Sequence, residues 1–543
     1  MARRTRILLF SPELRERTYQ GRPPIYYLSS VLRADGYTVV TADVDIIGRR
    51  QFVDLLKSFC PDIVAGSSLS VQINDALALF GLTKFHSPNS ITVLGGSHAT
   101  AAGEYLYPLH TDIIDAVVVG EGLTTIRSIA GLVERSQWAS RKYDLPGLLL
   151  CDGDAPVWGP PALPESPEDY IQDLSYHHDS YDFEILAEAD GKRRATFQMM
   201  TAFGCQNACF FCFSSTNLRG ESRRTERRMS IAAVDRALSS ARRLGFQAVY
   251  FDDDTFTRVR SHAIEVARLC KKYDLIFGCH TRPDCEDPEL IAELARCGCR
   301  YMFSGLESVV SEILLGANKT RDPVAYRDAY RHSYRCKADV QLPTSAFLIH
   351  GMPRRVLKHN QTPRGGADWS TDCLEDSFAS IDFAVFELDP AYLSMNILRF
   401  IPGVPFSESS HFEFLRPVTG KLHGGYFDAT WLKLHGLEDP RCFHPILRAF
   451  EGAGSPIPRH MAPDRCYKIL DYAVRAVNEK NQERSRNQTQ VVVDPWFRRH
   501  FLKEERVGGR LTYALAPFDM IDTWPHRDAQ PGGAKKEAAT AEF

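Results

Sequence analysis

The chain has 543 residues, 44% of them hydrophobic, and sets 65 Lys and Arg against 68 Asp and Glu for a net charge of −3. That length fits about three to four domains with large apolar cores, and the near-neutral balance offers no global field for nucleic acid or an anionic membrane. The first apolar run, "ILLF", is too short for a signal peptide and no stretch is long enough to span a bilayer; a cytoplasmic protein with reduced cysteines is expected, whose clustered thiols read as metal ligands before disulfides.

From residue 6 to about 135, short apolar runs ("RILLF", "TVVTADVD", "DIVAGSS", "ITVLGG", "AVVVGEG") alternate with amphipathic stretches such as "IYYLSSVLRADG". Strands apolar on both faces predict a parallel sheet covered by helices on each side, a doubly wound α/β domain over 1–150. Its polar and glycine residues gather where the strands end, at Ser67 and Ser68, at Gly95, Gly96 and His98, and at Gly120, Glu121 and Gly122. In such sheets a ligand lies beyond the carboxyl ends of the strands, where glycine lets backbone approach closely.

Proline then dominates ("GDAPVWGPPALPESPEDY"), and 151–190 reads as a linker. A second alternation fills 191–408: "TFQMMTAF", "AVYFDDD", "LIFGCHT", "RYMFSGLES", "TSAFLIHG" and "YLSMNILRFIP" are six strands with helices between them, a partial (β/α)6 barrel working at its carboxyl face. The polar stretch 354–370 interrupts this rhythm as a loop. Residues 409–522, with the helical "DRCYKILDYAVRAVNEKN", form a small, mainly helical unit expected to cap the pocket, and 523–543 lacks core-forming residues and reads as a disordered tail.

"GCQNACFFCFSS" places Cys205, Cys209 and Cys212 on the loop after the first barrel strand. Thiolates on a short loop hold iron–sulfur clusters, and three ligands on a [4Fe-4S] cube leave one iron open to chelate a substrate. The alternatives are zinc or buried thiols, but no further Cys, His or Asp lies in 206–229 to complete a zinc site. Other features carry less chemistry. Asp252, Asp253 and Asp254 end the second barrel strand and fit structural hydrogen bonding better than a Mg²⁺ site; "RGESRRTERR" reads as a solvated lead-in to a helix; Cys297 and Cys299 read as buried thiols.

Cys205, Cys209, Phe211 and Cys212 match the Cys-x3-Cys-x-aromatic-Cys signature of the radical S-adenosylmethionine (SAM) enzymes, which this chain resembles. The resemblance implies a [4Fe-4S] cluster, SAM on its open iron, an external electron donor such as flavodoxin or ferredoxin, and a 5′-deoxyadenosyl radical that abstracts hydrogen. It places Phe211 near the adenine, Glu307 of "SGLES" on SAM, and Gly351 and Pro353 of "LIHGMP" along the adenosine. The first domain in turn resembles the cobalamin-binding domain that precedes the barrel in one subgroup, through "RPPIYYLSSVLRADGYTVVTADVD", "PDIVAGSSLS", "TVLGGSHATA" and "DAVVVGEG". This makes it Rossmann-like, with Ser67, Ser68, Gly95, Gly96, His98, Gly120, Glu121 and Gly122 around the corrinoid; a flavodoxin-like domain with FMN or no ligand is the alternative. One departure is the loop after the first strand, "SPELRERTYQG", which lacks the Asp-x-His-x-x-Gly histidine, so the lower face of cobalt falls to water, to nothing or to another residue. The subgroup's commonest chemistry implies C-methylation of an unactivated carbon of a small organic, secondary-metabolite-like molecule through methylcobalamin. A ring-forming or ring-rearranging enzyme and a corrinoid or iron–sulfur carrier are the other readings, and no general acid or base is singled out.

Overall fold

The computed structural model describes residues 4–13, 23–171, 192–356, 368–398, 460–484, 490–493 and 502–517, less a few short internal stretches, together with Leu174, Val404 and Phe406. About half of the expected linker, the interior of the 354–370 loop, half of the arginine-rich run from Arg219, residues 409–459 and the tail lie outside them.

The first sheet is built from β1 (Arg6–Ser11), β2 (Thr38–Asp43), β3 (Ile63–Ser67), β4 (Ile91–Gly95), β5 (Ala116–Val118), β6 (Leu148–Asp152) and β7 (Ala155–Trp158). Its order is β2-β1-β3-β4-β5-β6-β7, parallel through β5 and antiparallel from there on. Along β1, Ile7 and Leu9 face one apolar layer and Leu8 and Phe10 the other, the alternation a doubly covered strand requires. Pro23–Ala34 and Leu123–Glu134 cover one face; Val44–Phe59, Ile73–His86 and Ser97–Leu106 cover the other. The final hairpin takes up residues that composition marks as linker: Pro156 is tolerated because β7 is the edge strand.

The second sheet holds the six expected strands, β8 (Thr196–Met199), β9 (Ala248–Phe251), β10 (Ile276–Thr281), β11 (Cys299–Glu307), β12 (Thr344–His350) and β13 (Tyr392–Ile397), all parallel and in chain order across the sheet. A seventh, the two-residue β14 (Val492–Val493), comes from the C-terminal unit and extends the far edge. The helices between these strands start where side chains cap them: Ser230 accepts from the Ala233 amide, and Asp287, followed by Pro288, accepts from that of Leu290. The interruption after β12 is a ladder, Arg354–Val356 against Asp368–Ser370.

The described C-terminal residues add a hairpin, β15 (Leu502–Val507) and β16 (Arg510–Leu515), to the expected helix at Pro463–Glu483. That helix buries Ile469, Leu470, Val474 and Val477 on one face, each contributing about 1.5–3 kcal/mol. They pack in one cluster with Leu388 and Met395 of the barrel and Leu511 and Tyr513 of the hairpin. This half of the C-terminal unit therefore rests on the outer layer of the barrel.

The two sheets share a core. Leu94, Tyr107 and Val117 of the first domain lie in one apolar cluster with Ile313, Ala317, Met352 and Leu398 of the second. Arg227 crosses the junction to pair with Glu121 and donates to the Glu165 carbonyl, and the Met200 amide donates to the Tyr27 hydroxyl at 3.3 Å.

Candidate functional site

Between the sheets lies a cavity of about 870 Å³, a size usual for an organic ligand. On one side it is bordered by Ser67, Gly95, Gly96 and Gly120, on the other by Met200, Phe203, Gly204 and Ser214. Gly96 has φ +99°, and a Cβ there would stand 2.6 Å from both the backbone nitrogen and oxygen of Ser68, so only glycine keeps this wall closed. Gly120 (φ +89°) is tied in through Thr100, whose hydroxyl accepts from the Gly120 amide at 3.0 Å and donates to the Gly96 carbonyl at 2.9 Å. Gly122 and Glu121 complete that rim, but the Glu121 carboxylate is taken up by Arg227 and by the Glu165 amide at 2.8 Å. Ser68 and His98 are buried behind the lining: the Ser68 hydroxyl donates to the Leu69 carbonyl, and its own carbonyl accepts from the His98 amide.

Gly204 opens the cysteine loop with φ +86°. The loop is held from outside itself, by the Phe210 amide on the Ala317 carbonyl at 2.9 Å and by Asn318 Nδ2 on the Ala208 carbonyl at 2.8 Å. Asp253 fixes its approach, accepting from the Thr201 and Ala202 amides and from the Thr201 hydroxyl. Burial, then Asp254 and Cys209, push the Cys212 thiol up to about 12 and raise that of Cys205. Thiols in this setting ionise only against a strong positive charge, the condition an iron cluster meets and a catalytic free cysteine does not. Among the described residues no three Cys, His, Asp or Glu side chains are drawn around one metal position, Asp252, Asp253 and Asp254 included. The donor set itself, three thiols on one anchored loop at a cavity mouth, fits the cluster.

Glu307 ends β11 with φ +62° and is buried. Its Oε1 pairs with Lys319 Nζ at 3.0 Å, both side chains under a tenth exposed. Its Oε2 is buried without a hydrogen-bond partner, an orphaned acceptor of the kind a bound ammonium or hydroxyl satisfies. Gly305 makes this possible, because a Cβ there would lie 2.3 Å from Glu307 Oε1. Burial opposes the charge on Lys319, yet Glu307 holds its ammonium above the usual lysine range. The Lys319 ammonium also lies 5.9 Å over the Phe211 ring, joining the glutamate to the cysteine loop. Gly351 (φ +85°) donates to Asp372 Oδ2 at 2.9 Å, and the other oxygen of Asp372 meets His460 Nε2 at 2.6 Å, so the C-terminal unit reaches the Gly351–Pro353 turn from behind.

Sequence reasoning missed Lys319, Gly305 and Asp372. Gly305, two residues before a buried glutamate, carried a signal in its spacing; Lys319, on a separate segment, carried none. Cys297 and Cys299 are buried in the barrel's helix-side core.

A B12 binding domain model matches residues 22–130 and a Radical SAM superfamily model matches 199–355. The chain is 27% identical over 373 residues to the cytidylyl-2-hydroxyethylphosphonate methyltransferase of Streptomyces wedmorensis, covering 60% of this chain and 68% of that one. It is 23% identical over 363 residues to the anaerobic magnesium-protoporphyrin IX monomethyl ester cyclase of Rubrivivax gelatinosus, covering 64% and 63%. The fold is similar to that of the radical S-adenosylmethionine methyltransferase TsrM of Kitasatospora setae, solved with cobalamin and a [4Fe-4S] cluster: the TM-score is 0.60 at 15% identity, over 87% of this chain and 99% of the other.

Proposed function

Because this chain belongs to the enzymes that join a B12-binding domain to a radical SAM core, we propose that it is a methyltransferase that methylates an unactivated carbon of a small organic molecule. The observation that carries this reading is the shared cavity: the glycine crest of the B12-binding domain and the mouth of the cysteine loop border one space. When bound, the cluster would supply an electron to cleave one molecule of SAM to a hydrogen-abstracting radical, while a second molecule of SAM would supply the methyl group that cobalamin relays. Cys205, Cys209 and Cys212 would hold the iron, with an external donor such as flavodoxin or ferredoxin as the source of electrons. Glu307 would accept from SAM through Oε2 while Lys319 fixes the carboxylate, Phe211 would lie near the adenine, and Gly351 and Pro353 would bound the adenosine. Ser67, Gly95, Gly96, Gly120 and Gly122 present a crest without bulky side chains to the corrinoid, backed by Ser68 and His98. Glu121 holds the rim in place against Arg227. Confinement of both cofactors against one acceptor converts an encounter of three molecules into a positioned one.

The cyclase relative supports a second reading, ring formation or rearrangement without methyl transfer. Methyl-labelled SAM, reductant, cobalamin and a panel of acceptors decide between them. Label in a product supports methyl transfer; 5′-deoxyadenosine with an unmethylated, rearranged product supports the cyclase reading. Neither SAM product above background, in fully loaded protein, refutes both in favour of a carrier.

A further inference from the structure

One row of the barrel sheet belongs to none of the cofactor contacts above. His280, Phe303, Ser345 and Tyr392 stand in register on four adjacent strands, and Asp252, one residue past the last paired position of β9, continues the row. All face the concave side. The Tyr250 and His280 rings meet at 5.2 Å, His280 and Phe303 at 4.9 Å, Phe303 and Phe347 at 5.2 Å. Their neighbours Phe251, Cys279 and Met302 point the other way, into the core under the helices.

Asp252 is open over 40% of its side chain and His280 over 23%, although protein surrounds both. They line an internal recess. The ion-pair partner of Asp252 among the described residues is His280 Nδ1 at 3.6 Å, and burial pulls that imidazole down to about 4, so it brings no positive charge at neutral pH. Asp253 is taken up by Thr201 and Ala202, and Asp254 accepts from the Ser214 hydroxyl at 2.7 Å. Burial first, then these two carboxylates, raises Asp252 to about 7. Three strands from Asp252, Ser345 Oγ is buried without a hydrogen-bond partner. The recess therefore combines a carboxyl whose ionisation burial and two acidic neighbours oppose, and which a cation would favour, with a neutral imidazole, a buried hydroxyl and an aromatic wall.

We propose that this recess binds the acceptor of the reaction, and that it selects an organic molecule carrying a protonated nitrogen beside a flat apolar group, the nitrogen on Asp252 and the apolar part against Phe303 and Phe347. The proposal rests on the radical SAM reading for its use of the barrel mouth. A cation offsets the repulsion among three consecutive carboxylates and gains from the ring faces. An anion adds to that repulsion, and a neutral alcohol gains a hydrogen bond alone.

The test is equilibrium dialysis of phenethylamine, 2-phenylethanol and 3-phenylpropionate against full-length protein loaded with iron, sulfide, cobalamin and SAM. The amine is expected to be retained at least tenfold better than the alcohol, and the acid least. Asp252→Asn should bring amine and alcohol level while iron and cobalamin contents stay unchanged, and Asp254→Asn should keep the preference. Equal retention of amine and alcohol by the wild-type protein, retention of none of the three, or a preference that survives Asp252→Asn in folded protein overturns the proposal. The wild-type comparison decides it even if the Asp252 variant does not fold. 5′-Deoxyadenosine formation on the same preparations keeps the two readings apart: SAM cleavage without amine preference sinks the recess alone, and amine preference without SAM cleavage sinks the catalytic reading alone.

Discussion

Replacing Glu307 with Gln separates what the Glu307–Lys319 pair does for the fold from what it does for SAM. At 3.0 Å, and with an effective dielectric of about 20, the attraction is about 5–6 kcal/mol before desolvation is charged against it. The amide leaves the buried Lys319 ammonium without its ion-pair partner, so Glu307→Gln should destabilise the barrel by about 3–5 kcal/mol. Removing both charges, in Glu307→Gln with Lys319→Met, should recover most of that loss, because a buried ion pair replaced by matched neutral groups costs little. SAM affinity should behave differently. The orphaned Oε2 is the group that meets SAM, and a hydrogen bond to a charged acceptor contributes about 1.5–3 kcal/mol, a loss of about 10- to 150-fold in affinity that the double variant does not restore. Denaturant unfolding gives the first quantity and anaerobic titration with SAM the second. A folded Glu307→Gln protein that binds SAM as tightly as wild type would refute the assignment of Glu307 to SAM.

Other outcomes follow from the same geometry. Cys205, Cys209 and Cys212 replaced together by Ala should leave reconstituted protein without bound iron or iron–sulfur absorption; iron retained at the wild-type level in metal analysis contradicts the ligand set. Gly96→Ala forces a Cβ to within 2.6 Å of the Ser68 backbone at φ +99°, so it should cost at least about 1–3 kcal/mol in thermal unfolding and lower cobalamin retention; normal values of both would remove Gly96 from the corrinoid wall. Because Asp252 is raised to about 7 when folded and titrates near 4 when unfolded, the native state binds the extra proton between these values. Stability should therefore fall as pH rises from about 4 to about 7, with Asp253, raised to about 6, adding to the slope, and Asp252→Asn should make it shallower; an unchanged slope in pH-dependent unfolding argues against a perturbed Asp252. Bound cob(II)alamin should show no axial nitrogen splitting in electron paramagnetic resonance, since the 11–21 loop has no histidine; a clear splitting would require a ligand from elsewhere.

Where one residue class and one short range sufficed, the sequence was legible. Buried parallel strands are apolar throughout, so β1, β3 and β4 stand out as runs, and Gly96 after β4 marks the crest because no other residue fits φ +99° against the Ser68 backbone. The cysteine loop carries its chemistry in eight consecutive residues. What stayed hidden depends on tertiary pairing. Lys319 meets Glu307 only because the barrel folds its segment under the cysteine loop, and Arg227 meets Glu121 only across the domain junction. The β6–β7 hairpin was masked by the prolines that an edge strand tolerates. Asp252 and His280 were visible as strand-end residues, but their common row needed the register of β9 through β13.

The measurement that bears most directly on the central claim is the product balance with an acceptor deuterated at the target carbon and methyl-labelled SAM. If the shared cavity serves one methyl transfer and one hydrogen abstraction per turnover, each labelled product should come with one S-adenosylhomocysteine and one 5′-deoxyadenosine bearing the deuterium. Labelled product formed without deuterated 5′-deoxyadenosine would contradict it.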